Sequence, residues 1–204
     1  MVILQETHNQ ILRKVKIKAM VAMFTMSILL LVMLVFTGHM IDETRRAKAE
    51  CLTWAEETKG LLAKQEILNV LKSKPMTIGQ AMEVIEAVMT QRDIPIRIVL
   101  AMIDQESEFS PQAISYRGAR GLTQVMPDTI RYYIKDPSLR KQIDRPSVNV
   151  TGGLMHLAYL NAKFGTWEKS LRAYVAGEDH VNNRSLDWYP RGVLRKATKY
   201  EYLE

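Results

Sequence analysis

Between Lys18 and Asp42 the chain carries no charged side chain: residues 19–41 read AMVAMFTMSILLLVMLVFTGHMI. As a helix, about 20–23 residues span roughly 30–35 Å, the thickness of a bilayer hydrocarbon core. A core helix of a soluble protein shows polar side chains every third or fourth residue, whereas Thr25 and Ser27 are the polar breaks across residues 19–36 of this run. A cleaved leader is the competing reading. Its apolar part is typically ~7–15 residues long and ends at a small-x-small site. Here the run is longer and closes on Thr37-Gly38-His39-Met40, so an uncleaved membrane-spanning anchor is expected. Arg13, Lys14, Lys16 and Lys18 precede the run, and Arg45, Arg46 and Lys48 follow it. The small excess before the run places residues 1–18 in the cytoplasm and 42–204 across the inner membrane.

The remaining composition narrows the chemistry. With 10 Gly and 7 Pro in 204 residues, collagen-like and low-complexity classes fall away. One cysteine, Cys51, excludes an internal disulfide framework and any cysteine-based zinc cluster. His8, His39, His156 and His180 have no metal-ligand spacing, so no metal and no cofactor are expected. The net charge is +6, and residues 1–41 hold half of it. The +3 left for 42–204 is too mild to argue for nucleic acid.

Downstream the pattern is helical. Residues 43–72 are rich in Ala, Glu, Lys and Leu and read as a helical stalk over 42–76, followed by a folded domain over 77–204. Thr77 and Gln80 form a T-x-x-Q capping box that opens a second helix, Ile78 to about Gln91. Asp93-Ile94-Pro95 starts a third. The stretch VTGGLMHLAYLNAKF after Asn149 is a further helix with Gly165 as its stop. SLRAYVAG and RGVLRKATKYEYL are helical too, with Gly-containing loops at 116–121 and 177–180. No alternating strand pattern appears, so the expected fold is all-α.

Residues 94–127, IPIRIVLAMIDQESEFSPQAISYRGARGLTQVMP, carry the chemistry. Ile96, Val99, Leu100 and Ile103 make a core-facing stripe. At about 100° per residue, Glu106 is the acid nearest the apolar boundary, ahead of Asp104 and Glu108. Partial desolvation disfavours a charged carboxylate and raises its pKa, as a general acid at neutral pH requires. The competing reading is a helix-end glutamate paired with Arg117 or Arg120. Pro111 is expected to end the helix. Gly118 and Gly121 then let the loop backbone approach whatever Glu106 faces, and Gln124 supplies an amide suited to sugar hydroxyls or acetamido groups.

The pattern E-S-x-F-x-P-x-A-x-S-x-x-G-A-x-G-L-x-Q-x-M-P, from Glu106 through Phe109, Ser115, Gly121 and Gln124 to Pro127, resembles the signature of the goose-lysozyme-like lytic transglycosylases, the soluble-lytic-transglycosylase catalytic domain. Asn149 with Gly152-Gly153, and Ala173-Tyr174-Val175-Ala176-Gly177, resemble the family's later landmarks. The likeness covers about residues 78–182. It implies a helical lysozyme-like fold and cleavage of the β-1,4 bond between N-acetylmuramic acid and N-acetylglucosamine in peptidoglycan. By resemblance Glu106 is the catalytic glutamate, acting as acid and then as base to give a 1,6-anhydro product. Ser115, Gln124 and Tyr174 fall on positions that contact the sugar or lie near the catalytic carboxylate. Thr123 and Met126 complete the candidate binding set, Met126 as part of the cleft floor. The alternative for Ser115 is a turn residue, and for Tyr174 a core aromatic.

Most glycosidases use two carboxylates. Asp104 and Glu108 lie on other faces of the helix than Glu106, so local sequence offers one acid, and the substrate's own N-acetyl group takes the place of the second. Asp128, Asp144 or Asp179 brought to the same cleft would favour plain hydrolysis, a lysozyme reaction. Two positions depart from the family: Thr123 where it usually has Met, and Val175 where it usually has Asn. These keep open a wall-binding component with little activity. Partners expected are glycan strands, the bilayer through 19–41, and subunits of a secretion, conjugation or phage-ejection assembly. The phage version places the chain in a virion until infection. Cys51 is read as a free thiol, with a disulfide across a dimeric stalk as the alternative.

Overall fold

The computed structural model describes residues 2–91 and 93–203, with side chains from Leu12 onward. The chain divides into two compact units, Met1–Thr58 and Lys59–Glu204. Helix α1 runs Val2–Leu71. In the first unit its apolar stretch is exposed throughout, and it is long and apolar enough to cross a membrane, a test that a leader sequence also passes. The polar side chains in that stretch are satisfied within the helix. The hydroxyls of Thr25, Ser27 and Thr37 donate to the carbonyls of Ala22, Met23 and Met33, each at 2.9 Å. No hydroxyl there needs a water partner, as a hydrocarbon environment demands. Just past it, Asp42 pairs with Arg46 at 2.9 Å.

The second unit takes in the end of α1. Ile67 and Leu71 are fully buried in its core, although both fall within the segment read from composition as stalk. The unit continues with α2 (Ile78–Thr90), α3 (Ile96–Ser107), α4 (Pro127–Tyr133), α5 (Pro137–Arg140), α6 (Pro146–Phe164), α7 (Trp167–Ala176) and α8 (Trp188–Ala197), closed by a 3-10 turn at Thr198–Leu203. Among the described residues there is no strand, so the all-α expectation stands. The expected ends hold as well. The Thr77–Gln80 box is closed in both directions, at 3.2 and 2.9 Å, and Gly165 ends α6 in the left-handed conformation.

Helix α3 departs from an amphipathic reading. Ile98 to Ile103 are six consecutive buried residues, so the helix is covered all round rather than along one stripe. Helices α8 and the Thr198–Leu203 turn pack directly on it. Its end also differs. Pro111 does not stop it; the helix stops at Ser107, because Glu108 and Phe109 both adopt left-handed backbone, φ 49° and 64°. Neither is glycine, so the turn carries strain. The gain on the other side is packing: the turn drives the Phe109 ring into the core, where it is 1 % exposed.

Candidate active site

The two left-handed residues reverse the chain and lay the loop 110–126 beside the end of α3. Ser107 bolts the two together, donating to the Leu122 carbonyl at 2.8 Å. The loop is folded on itself by paired backbone bonds between Arg120 and Val125, at 3.1 and 3.2 Å, and by Gly121 N–H to the Ala113 carbonyl at 2.8 Å. Asn149 anchors it from α6. The Asn149 amide donates to the carbonyls of Arg120 and Ile143 (2.8 and 3.0 Å) and accepts from Thr123 N–H at 2.9 Å. The approach is so close that a Cβ on Gly121 would lie 2.3 Å from the Asn149 amide nitrogen, and Gly121 also has φ +72°. Glycine is required there on both counts. Gly153, on α6, gives the Thr123 side chain its space: a Cβ would lie 2.4 Å from the Thr123 hydroxyl.

Glu106 sits on the last turn of α3, partly exposed, between this loop and α8. Burial pushes its pKa up from 4.5 to about 7, and a hydrogen bond from Tyr189 pulls the other way. The donor is the Tyr189 phenol, and the acceptor is Glu106 Oε1. The pairing with Arg117 or Arg120 is not realised. Arg120 is held by Asp144, and Arg117 lies over the Tyr116 ring. None of the other acids weighed from sequence is brought against Glu106. Asp104 faces the Lys196 ammonium at 2.9 Å and the Tyr200 hydroxyl at 3.3 Å; Glu108 and Asp179 are exposed; Asp128 pairs with Arg131. Among the described residues no three His, Cys, Asp or Glu converge on a common point.

The other candidate residues divide by what their polar atoms already do. Ser115 accepts the Ala119 N–H at 3.0 Å and shapes the loop. Gln124, with φ 47°, donates its amide to the Ala113 and Gly121 carbonyls at 3.1 and 2.9 Å. Thr123 is fully buried, its hydroxyl 2.9 Å from Asn149 Oδ1, so its side chain has no access to a glycan; the reason is the close packing of the loop on α6. Met126 is exposed at the start of α4. Tyr174 donates to the Thr123 carbonyl at 2.9 Å, and burial together with the nearby Glu106 charge raises its pKa. Val175, at the second departure, is half-buried against the core.

On its other side Tyr174 meets His156, which lines an open cavity of about 410 Å³. That cavity is lined by Tyr132, Tyr133, His156, Tyr159, Glu178 and their neighbours, and Glu106 does not line it. The rings of Tyr133, His156 and Tyr174 follow one another in tilted contacts, with centroids 5.7 and 5.4 Å apart and planes at 50° and 41°. Burial lowers the His156 pKa, so its imidazole is neutral at physiological pH. Sequence reading missed His156 as a wall residue and Tyr189 as the partner of Glu106. No local motif marks either one.

Residues 83–188 match the family described as transglycosylase SLT domain, which is about half of the chain. The soluble lytic murein transglycosylase of Escherichia coli K12 is 33% identical over 96 residues, covering 44% of this chain and 15% of that protein. Among solved structures, the 70 kDa soluble lytic transglycosylase of Escherichia coli aligns with TM-score 0.52 and 25% identity, over 57% of this chain and 24% of that one. An inactive mutant of the lytic transglycosylase Slt from Pseudomonas aeruginosa aligns with TM-score 0.52 and 23% identity, over 59% and 24%. The chain thus spans 15% of the length of the curated relatives it matches.

Proposed function

The chain belongs to the transglycosylase SLT domain family, and on that premise we propose that it is a peptidoglycan lytic transglycosylase with Glu106 as its single acid and base. The observation that carries this reading is the state of Glu106. A carboxyl with a pKa of about 7 still carries its proton in about half of the molecules at neutral pH, where an ordinary glutamate carries almost none, and a phenol, not a second carboxylate, faces it. The Glu106 proton passes to the glycosidic oxygen as the C1–O bond breaks, and the bonding pair leaves with the N-acetylglucosamine hydroxyl. The muramic N-acetyl oxygen stabilises the positive charge at C1. The C6 hydroxyl of the same sugar then closes on C1 and returns its proton to Glu106. The carboxyl ends as it began, and the product is a 1,6-anhydro end. Among the described residues Asp104, Asp128 and Asp144 are each held by a cation rather than turned to Glu106, an arrangement that favours ring closure over hydrolysis.

Residues 19–41 serve in this reading as a membrane span, with 1–18 in the cytoplasm and the C-terminal unit facing the wall. A catalytic unit tethered in that way acts on nearby glycan, which suits local wall opening by an envelope-spanning machine or an infecting phage particle. The test is a digest of purified peptidoglycan by the full chain in detergent, beside Glu106→Gln, with products identified by mass. Anhydro-muropeptides from the wild type and none from the variant are expected. Reducing ends would make the protein a hydrolase, and wall binding without products from either would make it a structural component.

A further inference from the structure

Beyond the apolar run α1 is densely charged, yet the charges avoid two of every seven positions. Residues 42–61 hold nine acidic or basic side chains. Sorted by position in a seven-residue repeat, five of the seven classes carry at least one of them. The two classes without any are Thr44, Cys51 and Thr58, and Ala47, Trp54 and Leu61. Together they recur at alternating spacings of three and four residues, the a/d seam of a coiled coil. The same register continues upstream as Met23, Met26, Leu30, Met33, Thr37 and Met40, which takes four of the five methionines in residues 19–41. All twelve residues are exposed. We propose that this seam joins two copies of the chain as a parallel two-stranded coiled coil over residues 23–58.

The period says that another helix covers this face. Over the five heptads from Met23 to Thr58, a straight helix would turn a 3.5-residue stripe by about 100° around its axis. The stripe stays on one side only where two helices wind around each other. The surface has the matching shape. An apolar groove of about 520 Å³ is lined by Met26, Leu29, Leu30 and Met33, with Val32 and Phe36 beside them. Residues at i, i+3, i+4 and i+7 form the four-cornered hole that receives one knob of a facing helix, here the partner's Leu30. Methionine suits such a seam, because its unbranched side chain adapts to irregular gaps. Covering the seam also strands no hydroxyl. Thr37, Thr44 and Thr58 donate to the carbonyls of Met33, Ile41 and Trp54 in their own helix, at 2.9, 2.8 and 2.7 Å.

The charges flanking the seam identify the partner as the same chain and set its direction. The residue just before Thr44, Cys51 and Thr58 is an acid each time: Glu43, Glu50 and Glu57. In an antiparallel pair of copies these rows face each other, acid against acid. In a parallel pair each acid faces the residue five places further along the partner, which is Lys48 for Glu43 and Ala55 for Glu50. Repulsion thus disfavours one arrangement, and an ion pair supports the other. On the far side of the helix the charges pair within the chain, as Asp42 does with Arg46 at 2.9 Å. Two copies anchored through residues 19–41 with one topology are already parallel and confined to a plane. The short charged stretch therefore does not hold the pair alone.

The experiment moves a single cysteine along α1 of the full chain in detergent micelles. Cys51, a free and exposed thiol, is kept in place or replaced by Cys51→Ser. The second background then receives Leu52→Cys, Thr53→Cys, Trp54→Cys or Thr58→Cys. Copper phenanthroline with dioxygen joins facing thiols: one S–S bond forms from two S–H bonds, two protons are released and two electrons pass to dioxygen. Non-reducing gels follow the rate. Cross-linking about tenfold faster at positions 51, 54 and 58 than at 52 and 53 is expected, since cysteines turned off the seam lie too far apart to bridge. Only a parallel pair sets three successive seam positions each against its own copy. Equal rates, fastest linking at 52 or 53, or fast linking at one seam position alone overturns the proposal. Sedimentation equilibrium gives a second readout without thiol chemistry. Wild type and Thr53→Arg are expected as two chains, and Cys51→Arg, which sets like charges against each other on the seam, as one. Wild type as one chain at every concentration, or as three or more, overturns the proposal, and so does the same state for both arginine variants.

Discussion

Replacing Glu106 by glutamine separates what this side chain does for chemistry from what it does to the fold. Its pKa is lifted from 4.5 to about 7 by burial. Below about pH 4.5 the folded and unfolded chains both hold the proton, and burial costs nothing in charge. Between about 4.5 and 7 the unfolded carboxyl is ionised while the folded one is not, so the unfolded state binds fewer protons and stability falls as pH rises. Above 7 both are ionised and the full penalty remains. The gap of about 2.5 pH units at ~1.4 kcal/mol each amounts to ~3 kcal/mol. Glutamine keeps the shape and an acceptor for Tyr189 without the charge. Glu106→Gln is therefore expected to stabilise the C-terminal unit by ~3 kcal/mol at pH 8 and negligibly at pH 4. For a unit spanning residues 59–204 this is a rise in Tm of ~6–12 °C. Thermal unfolding of the full chain in detergent, followed by near-UV circular dichroism at the two pH values, measures it. An equal gain at both, or a loss at pH 8, would refute desolvation as the source of the raised pKa.

Two further outcomes follow from other parts of the molecule. Asn149→Ala leaves the carbonyls of Arg120 and Ile143 and the Thr123 N–H unpaired in the interior, which costs on the order of 3–6 kcal/mol. A drop in Tm of less than ~3 °C would show that the loop is held by something else. A reporter fused after Glu204 is expected to be active only outside the cytoplasm; cytoplasmic activity would reverse the orientation drawn from Arg13, Lys14, Lys16 and Lys18.

The helices were legible where an end has its own chemistry. Thr77 with Gln80 and the left-handed Gly165 are local signals, and local signals survive into the fold. Burial was less legible. The run Ile96–Ile103 reads as one stripe because its polar Arg97 interrupts it, yet every residue from Ile98 to Ile103 is covered. An almost wholly apolar segment has no periodicity left to show that it lies at the centre. The end of α1 poses the opposite problem. Ile67 and Leu71 sit in the same Ala-, Glu-, Lys- and Leu-rich stretch as exposed Leu61 and Leu62, and helix propensity is the same for docked and undocked turns.

At the site, the motif is chiefly architectural. Ser107, Ser115, Gly121 and Gln124 direct their hydrogen bonds or their lack of a side chain to the loop itself, and Asn149 secures that loop from α6. A stiff rim of this kind matters because an acid tuned by desolvation loses its tuning if the wall beside it opens to water. The motif therefore names Glu106 by surrounding it, and sequence can read the surroundings because they lie within about twenty residues of the acid. The phenol that meets the carboxyl comes from a helix 83 residues further along the chain, where Trp-Tyr-Pro carries no pattern of its own. Beside that contact, Gly192 and Lys196 set α8 against Gln105 and Asp104, the two residues just before Glu106. That hydrogen bond is thus a product of helix packing, and the residue that meets the carboxyl is found by following the bond, not its neighbours in sequence.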